Sequence, residues 1–298
     1  MSTTAEPLTT AAQAAAPASA IRRLGAALRV IHPFPTLLNV AVTAGLAAVA
    51  VDGWPDGALL ARMMLMMFFA QSTIGATNDI FDRDLDALSK PWKPLPSGAL
   101  SMRSAGAIAG GGAAATITLA ATLGAGGFSL GLLGLACGLA YDAGFKRSRY
   151  SAVPFMVAIP TLPLWVWICL DRYDAVLWWI VPLGALIGLS LHLANTLPDI
   201  ASDAAFGVRG VAHRLGERAS KRLAWMSFGA AVLLAALLSP VVTYDRRIFV
   251  PTIALAMLCV LASIVLGASG RGARLQAAFG VMSVGAATAA VGWLAAAT

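Results

Sequence analysis

The chain alternates long apolar stretches with short polar connections. Each stretch approaches the roughly twenty residues that a helix needs to cross a bilayer. The stretches lie at 34–51, 58–78, 102–122, 126–142, 153–170, 175–197, 222–243, 249–267 and 275–297. They are rich in alanine, leucine and glycine, and they lack the two-residue alternation of barrel strands. The pattern therefore predicts an all-α polytopic membrane protein with about nine transmembrane helices.

The N-terminal residues do not share this pattern. They are small and polar, and no basic region precedes an apolar run there, so they do not resemble a cleavable signal. We expect a disordered tail at 1–20 and a single transmembrane domain at 21–298.

The composition supports a membrane location. Of the 298 residues, 59% are hydrophobic and only 12% are charged, whereas soluble domains carry about a quarter charged residues. The net charge of +7 does not indicate nucleic-acid binding, because most basic residues lie in alternate connections. The positive-inside rule then places the N-terminus and these connections in the cytoplasm and the C-terminus outside. We expect a bacterial-type plasma membrane protein, and its protein partners are left open.

The sequence TNDIFDRDLDALSK, which follows the second apolar stretch, is unusually acidic. It carries four of the chain's 14 acidic residues. Asn78, Asp82 and Asp86 recur every four residues, and Asp79 precedes Asp82 by three. A helix leaving the membrane would therefore carry several oxygen ligands along one face. Asp84 would point about 160° away from Asp86 on such a helix, so we expect it either to lie behind the site residues or to face solvent.

A second acidic sequence, NTLPDIASDAAFGVRG, repeats this spacing after the sixth apolar stretch. Asn195, Asp199 and Asp203 are again four residues apart. The charge pattern places both acidic sequences on the cytoplasmic side. Two such clusters on one face of an acid-poor chain favour a site over a merely solvated helix end.

Several carboxylates on one face repel one another unless a cation lies between them. Oxygen ligands without histidine or cysteine favour a hard ion such as Mg²⁺, which shares its ligands with phosphate oxygens. Basic residues in the adjoining connections would hold the far oxygens of a large anion: Lys90, Lys93, Lys146, Arg147 and Arg209. This pattern indicates a site for Mg²⁺ and a diphosphate.

Four sequence motifs resemble those of the UbiA superfamily of intramembrane prenyltransferases. NDIFDRDLD fits the NDxxDxxxD signature, and DIASDAAFGVRG is similar to the second acidic motif. KPWKPLPSGALS resembles the RPxRPxPSGxxS loop, and YDAGFK resembles the Tyr–x4–Lys stretch. The resemblance implies about nine helices around a central cavity, with Mg²⁺ as the cofactor and a prenyl diphosphate as the substrate.

The resemblance and the charge pattern together give candidate site residues. The expected metal ligands are Asp79, Asp82, Asp86, Asp199 and Asp203. The expected diphosphate contacts are Asn78, Lys90, Lys93, Lys146, Arg147, Asn195 and Arg209. The expected catalytic residues are Asp82, Asp199 and Lys146, with Tyr141 near the reacting carbon.

The chain departs from the family pattern at several positions. Lys90 and Lys93 stand where arginines are common, so the charge is kept but the bidentate fork is lost. Asp142 adds an acid where the family frequently has Ser-Pro-Pro, and its role is left open. His192 is a polar residue inside an apolar stretch, where an imidazole needs a partner, and whether it faces the cavity is left open. These departures leave the identity of the acceptor undetermined.

The expected activity is Mg²⁺-dependent transfer of a prenyl group from an allylic prenyl diphosphate to a hydrophobic acceptor within the bilayer. By family frequency, the acceptor is expected to be aromatic, like a quinone precursor. Two alternatives stay open. One is a terpene cyclase of the same fold, and the other is a cation-coupled transporter, although transporter sites usually lie near the midplane of the membrane.

Overall fold

A computed structural model describes residues 20–268 and 272–297, which form thirteen α-helices and no β-strand. The helices are α1 (Ala20–Val30), α2 (Pro33–Ala50), α3 (Gly57–Phe81), α4 (Arg83–Ser89), α5 (Met102–Ala120), α6 (Gly124–Ala143), α7 (Val153–Cys169), α8 (Ile180–Thr196), α9 (Ile200–Ala205), α10 (Val211–Leu215), α11 (Glu217–Leu237), α12 (Arg246–Ala268) and α13 (Ala273–Ala297). Except for Ala20, the predicted disordered tail at 1–20 lies outside the described residues.

Each of the nine predicted stretches falls on one long helix. Within the described part of the chain, seven helical segments are long and apolar enough to cross a bilayer. They comprise α2, α3, α6, α11, α12, α13 and the segment Ala175–Ala204, which contains α8. Helix α7 is apolar but has only 17 residues. The all-helical membrane fold is confirmed, and the count of nine crossings stays a prediction.

The seventh predicted stretch, 222–243, was misplaced. The corresponding helix α11 begins at Glu217 and ends at Leu237. It begins earlier than predicted because the charged first residues of the helix, 217–222, are helical although apolar periodicity does not register them, and Lys221 donates a hydrogen bond of 2.7 Å to Glu217 there. It ends early because Pro240 disfavours helical geometry in the residue before it.

The helices surround one elongated cavity of about 600 Å³. Six helices, α2, α3, α6, α7, α8 and α13, supply most of the lining. We call these six helices the ring. Helix α5 packs against α3, and α12 packs against α13, so α5 and α12 support the ring from outside. This arrangement gives the protein an apolar interior that opens towards its acidic sequences.

Glycines allow some of the ring helices to touch through their backbones. A Cβ atom added at Gly188 of α8 would lie 2.5 Å from the Phe155 carbonyl oxygen of α7. One added at Gly75 of α3 would lie 2.9 Å from the Ile31 carbonyl carbon. Small residues permit such close approach in membrane helices, and a backbone obstacle leaves no side chain that could move aside.

Replacing Gly188 with valine should therefore destabilise the protein. The new side chain meets the α7 backbone, and overpacking of this kind costs about 1–3 kcal/mol. Gly229→Val in α11 is the matched control, because a Cβ atom there meets nothing within 4 Å. Thermal unfolding in detergent should show a lower Tm for Gly188→Val alone. Equal Tm values for both variants would contradict the close contact between α7 and α8.

Candidate active site

The first acidic sequence is not one continuous helix, contrary to the expectation. Helix α3 ends at Phe81, and Asp82 has φ −93° and ψ 1°, outside helical geometry, before α4 begins. Even so, the Asp82 amide donates to the Asn78 carbonyl, and the Asp86 amide donates to the Asp82 carbonyl. The four-residue spacing is therefore kept across the bend, and Asp84, with a side chain 95% exposed, faces away as expected.

The second acidic sequence also crosses a change in backbone geometry. Helix α8 ends at Thr196, a 3₁₀ turn spans Leu197–Asp199, and α9 follows. Pro198 lies in this turn, where its missing N–H is tolerated at a helix start. Asn195 lies in the last turn of α8, and Asp199 lies at the end of the 3₁₀ turn.

Lysine side chains bring the separate segments together. The Lys90 ammonium, at the end of the first acidic sequence, donates to Asp199 Oδ2 at 2.7 Å. The Lys146 ammonium, just beyond α6, donates to Asp82 Oδ1. These contacts join residues that are 109 and 64 positions apart. Both acidic sequences therefore meet at one end of the cavity, which we call the polar end.

Lys93 links two further carboxylates at the polar end. Its ammonium donates to Asp79 Oδ1 at 2.9 Å and to Asp86 Oδ2 at 2.7 Å. The Asp79 and Asp86 side chains are 2% and 3% exposed, and His32 Nε2 lies 3.0 Å from Asp79 Oδ1. Burial acts to lower the pKa of the Lys93 ammonium, but the two carboxylates outweigh burial and raise this pKa above its ordinary value.

Most of the predicted site residues line the cavity at the polar end. They are Asn78, Asp82, Asp86, Lys90, Lys93, Tyr141, Lys146, Asn195, Asp199 and Asp203. Arg147 and Arg209 are exposed and outside the lining. Asp79 is also outside the lining, in its ion pair with Lys93. The metal, diphosphate and catalytic roles of all the predicted site residues, Asp79 and the two arginines included, stay predictions.

His192, whose role the sequence left open, does not line the cavity. It is 1% exposed, and its Nε2 atom lies 3.0 Å from Ser151 Oγ, which also accepts a hydrogen bond from the Val211 amide. A Cβ atom added at Gly210 would lie 2.7 Å from the Lys146 carbonyl oxygen and 2.9 Å from Ser151 Oγ. His192 therefore belongs to a junction that holds the second acidic sequence against the connection carrying Lys146.

Two residues of the polar end were not assigned a role from the sequence. Asp142 is 3% exposed, lines the cavity and accepts at Oδ1 a 2.8 Å hydrogen bond from the side-chain Nδ2 of Asn78. His213 of α10 lines the cavity with Nε2 3.7 Å from Asp203 Oδ2, and burial lowers the pKa of its imidazole. The sequence marked Asp142 only as a departure from a family motif, and nothing in the sequence distinguished His213 from an ordinary loop histidine.

The donor atoms at the polar end suit Mg²⁺ shared with a phosphate group. They are carboxylate and amide oxygens, which hard cations prefer. Within residues 20–268 and 272–297, no group of three or more histidine, cysteine, aspartate or glutamate side chains is close enough to hold an ion. Mg²⁺ commonly uses only one or two carboxylates and completes its shell with water and substrate phosphates, so the residues fit that mode of binding.

Comparison with known proteins identifies a family and a shared fold. A model described as the UbiA prenyltransferase family matches residues 38–285. A UbiA homologue from Aeropyrum pernix K1 has 19% identity and a TM-score of 0.69, covering 86% of this chain and 96% of that one. A homologue from Archaeoglobus fulgidus solved with GPP and Mg²⁺ has 16% identity and a TM-score of 0.67, covering 91% and 99%.

Three archaeal relatives share the name digeranylgeranylglyceryl phosphate synthase. The protein from Methanothrix thermoacetophila is 28% identical over 189 residues, which are 60% of this chain and 67% of the relative. The protein from Metallosphaera sedula is 30% identical over 125 residues, which are 40% of this chain and 44% of the relative. The match to the protein from Pyrococcus furiosus, at 39% identity, spans 20% of this chain and 21% of the relative.

Lys93→Met should destabilise the fold. The change leaves two buried carboxylates without their ammonium, and removing one partner of a buried pair costs about 3–5 kcal/mol. The double variant Lys93→Met/Asp79→Asn should recover part of this loss. Arg83→Met is the control, because Arg83 and Asp84 pair on the surface with side chains 54% and 95% exposed, where such pairs contribute little. Stability is measured by unfolding in detergent. Equal stability of Lys93→Met and Arg83→Met would contradict the buried network.

Proposed function

The chain belongs to the UbiA prenyltransferase family, and on that premise we propose that it transfers a prenyl group from an allylic prenyl diphosphate to a hydrophobic acceptor, with release of diphosphate. The observation that carries the proposal is the meeting of both acidic sequences at the polar end of one apolar cavity. The hydrogen bond of 2.7 Å from Lys90 to Asp199 joins the two acidic sequences directly.

The polar end suits a diphosphate leaving group. Asp82 belongs to the first acidic sequence and Asp199 to the second, and each contacts a lysine. Anionic and cationic groups therefore alternate where a diphosphate would lie. Mg²⁺ bound to these carboxylates would supply positive charge that stabilises the leaving diphosphate. The Archaeoglobus fulgidus homologue solved with GPP and Mg²⁺ supports the same pairing here.

The residues of the chain then have separable roles in the reaction. When the allylic carbon–oxygen bond breaks, its electron pair leaves with the diphosphate, and the Lys90 and Lys146 ammonium groups stabilise that developing charge. The allylic cation would lie near Tyr141, whose aromatic face stabilises a cation by roughly 0.5–2 kcal/mol. The ring of Tyr141 is held edge-on by Phe155 at 5.2 Å and by His192 at 5.8 Å. The apolar walls of the cavity keep water from capturing the cation.

We place the protein in a bacterial-type plasma membrane with the polar end and the N-terminus towards the cytoplasm and the C-terminus outside. The seven apolar spans of the described residues support the membrane location. The basic connections next to the polar end support the orientation through the positive-inside rule.

Asp82→Ala or Asp199→Ala should abolish diphosphate release in protein that still folds, which its Tm in detergent reports. Each change removes charge control at the leaving group, and losses of at least about 10²-fold are typical of such sites. Asp84→Ala is the matched control, because this aspartate belongs to the same sequence but its side chain is 95% exposed. Diphosphate release from geranyl diphosphate and Mg²⁺, in the presence of an acceptor that the wild-type protein prenylates, is the measurement. Full turnover by either of the first two variants, or equal loss with Asp84→Ala, would contradict the assignment.

The acceptor has two candidates from different chemical classes. Family frequency favours an aromatic quinone precursor, whereas the shared name of the three archaeal relatives favours an alcohol of the glyceryl phosphate class. Purified protein should be given labelled geranylgeranyl diphosphate with a hydroxybenzoate, with geranylgeranylglyceryl phosphate, or with no acceptor. If the protein is a transferase, a labelled adduct should form with at least one of the two acceptors. A cyclic hydrocarbon formed without acceptor would show that the protein is a cyclase.

A further inference from the structure

The cavity is closed by one layer of apolar side chains at the end opposite the polar end. On each of five ring helices, the lining residue furthest from the acidic sequences lies in this layer: Leu46 of α2, Met66 of α3, Trp165 of α7, Ile180 of α8 and Trp293 of α13. All five are 5% exposed or less and belong to one buried apolar cluster. We call these five residues the closing layer.

Hydrogen bonds fix the two indoles of the closing layer. Trp165 Nε1 donates to the Gly127 carbonyl oxygen of α6 at 3.0 Å. Trp293 Nε1 donates to the Tyr244 hydroxyl oxygen at 3.0 Å. If either indole rotated out of the cavity, a buried N–H would lose its partner, and a buried donor left unpaired is costly. The layer is therefore a fixed boundary and not an adaptable one.

The depth of the cavity follows from the length of helix between its ends. On α3, Met66 lies in the closing layer and Asn78 lies at the polar end. The twelve residues from Met66 to Asn78 span about 18 Å at 1.5 Å per residue. An extended geranylgeranyl chain has this order of length, whereas a substantially longer polyprenyl chain would reach the indoles before its diphosphate reached the polar end.

We infer that the closing layer sets an upper limit on the prenyl tail near geranylgeranyl length, with Trp165 as its main determinant. The inference rests on the proposed function, because it takes the diphosphate to lie at the polar end. Trp165 is the main determinant because its large ring is buried, with 2% of its surface exposed, and packs closely against α6. A Cβ atom added at Gly131 of α6 would lie only 3.2 Å from Trp165 Nε1. Trp165 thus occupies the space between α6 and α7 where the tail would continue.

Gly134 offers a second way to set the tail length. It lines the cavity on α6, and a Cβ atom added there meets nothing within 4 Å. It lies seven residues before Tyr141, which is about 10 Å along the helix and therefore between the polar end and the closing layer. A larger side chain at this position would enter the open cavity without disturbing a neighbouring backbone.

The test compares Trp165→Ala, which deepens the cavity, with Gly134→Leu, which shortens it. Gly110→Leu is the control, because Gly110 is exposed on α5, has open space at its Cβ position and lies outside the lining. Competition binding should use unreactive thiolodiphosphates with geranyl, farnesyl, geranylgeranyl and hexaprenyl tails. Diphosphate release from the corresponding reactive diphosphates should be measured in parallel, with a hydroxybenzoate or geranylgeranylglyceryl phosphate as acceptor, and the Tm of each variant reports its folding.

The wild-type protein and Gly110→Leu should bind the geranylgeranyl compound best and the hexaprenyl compound about tenfold or more weakly, a ratio in the range that a changed pocket shape gives. Trp165→Ala should narrow or remove that difference. Gly134→Leu, which needs no rearrangement of the fold, should weaken geranylgeranyl binding about tenfold and leave geranyl binding within about twofold of wild type.

Two results would overturn the inference. One is equal wild-type affinity for hexaprenyl and geranylgeranyl compounds, since the tail would then leave between helices. The other is an unchanged preference in Gly134→Leu. Failure of the proposed function has a different signature: the wild-type protein would release diphosphate from no prenyl diphosphate, whatever the binding series showed.

Discussion

The structure depends on the alternation of carboxylates and ammonium groups at the polar end of the cavity. Carboxylates from two distant sequences approach one another there, and their mutual repulsion would grow as water is excluded. Lys90, Lys93 and Lys146 lie between them and contact Asp199, Asp86 and Asp82 in turn. Buried charges are tolerated when they are paired and hydrogen-bonded, so these lysines are what allows an acid-rich site to exist at the end of an apolar helical ring.

This charge arrangement explains the shape of the site. The lysines reach the carboxylates because Gly210 lets the second acidic sequence approach the Lys146 carbonyl, and because the junction of Ser151 and His192 holds both segments. Within the described residues, the cavity has charged groups at one end and a closing layer of apolar side chains at the other. This asymmetry fits a reaction in which an anion is released at the polar end while an apolar tail is sheltered in the rest of the cavity. A transporter would need a site accessible in turn from both sides, usually near the midplane.

The site was readable from the sequence to the extent that polar residues interrupt an apolar pattern. Asp82 and Asp199 stand out because acids are rare in this chain, and the spacing of Asn78, Asp82 and Asp86 is kept across the bend at Asp82. The pairings were not readable, because contacts between positions 109 apart depend on how the helices pack. For the same reason, nothing in the sequence distinguished Asp79 from its neighbours, although Asp79 alone among the predicted metal ligands lies outside the cavity lining, where it pairs with Lys93. The depth of the cavity depends on which face of each helix turns inwards, and uniformly apolar helices do not encode that in their periodicity.

The central claim is that both acidic sequences hold one prenyl diphosphate with its tail directed away from them. A crystal structure with Mg²⁺ and unreactive geranylgeranyl thiolodiphosphate tests it most directly. The account predicts that the diphosphate lies between Asp82 and Asp199, within reach of the Lys90 and Lys146 ammonium groups, and that the tail ends against Trp165. A diphosphate bound away from either acidic sequence, or a tail that runs in the opposite direction, would contradict it.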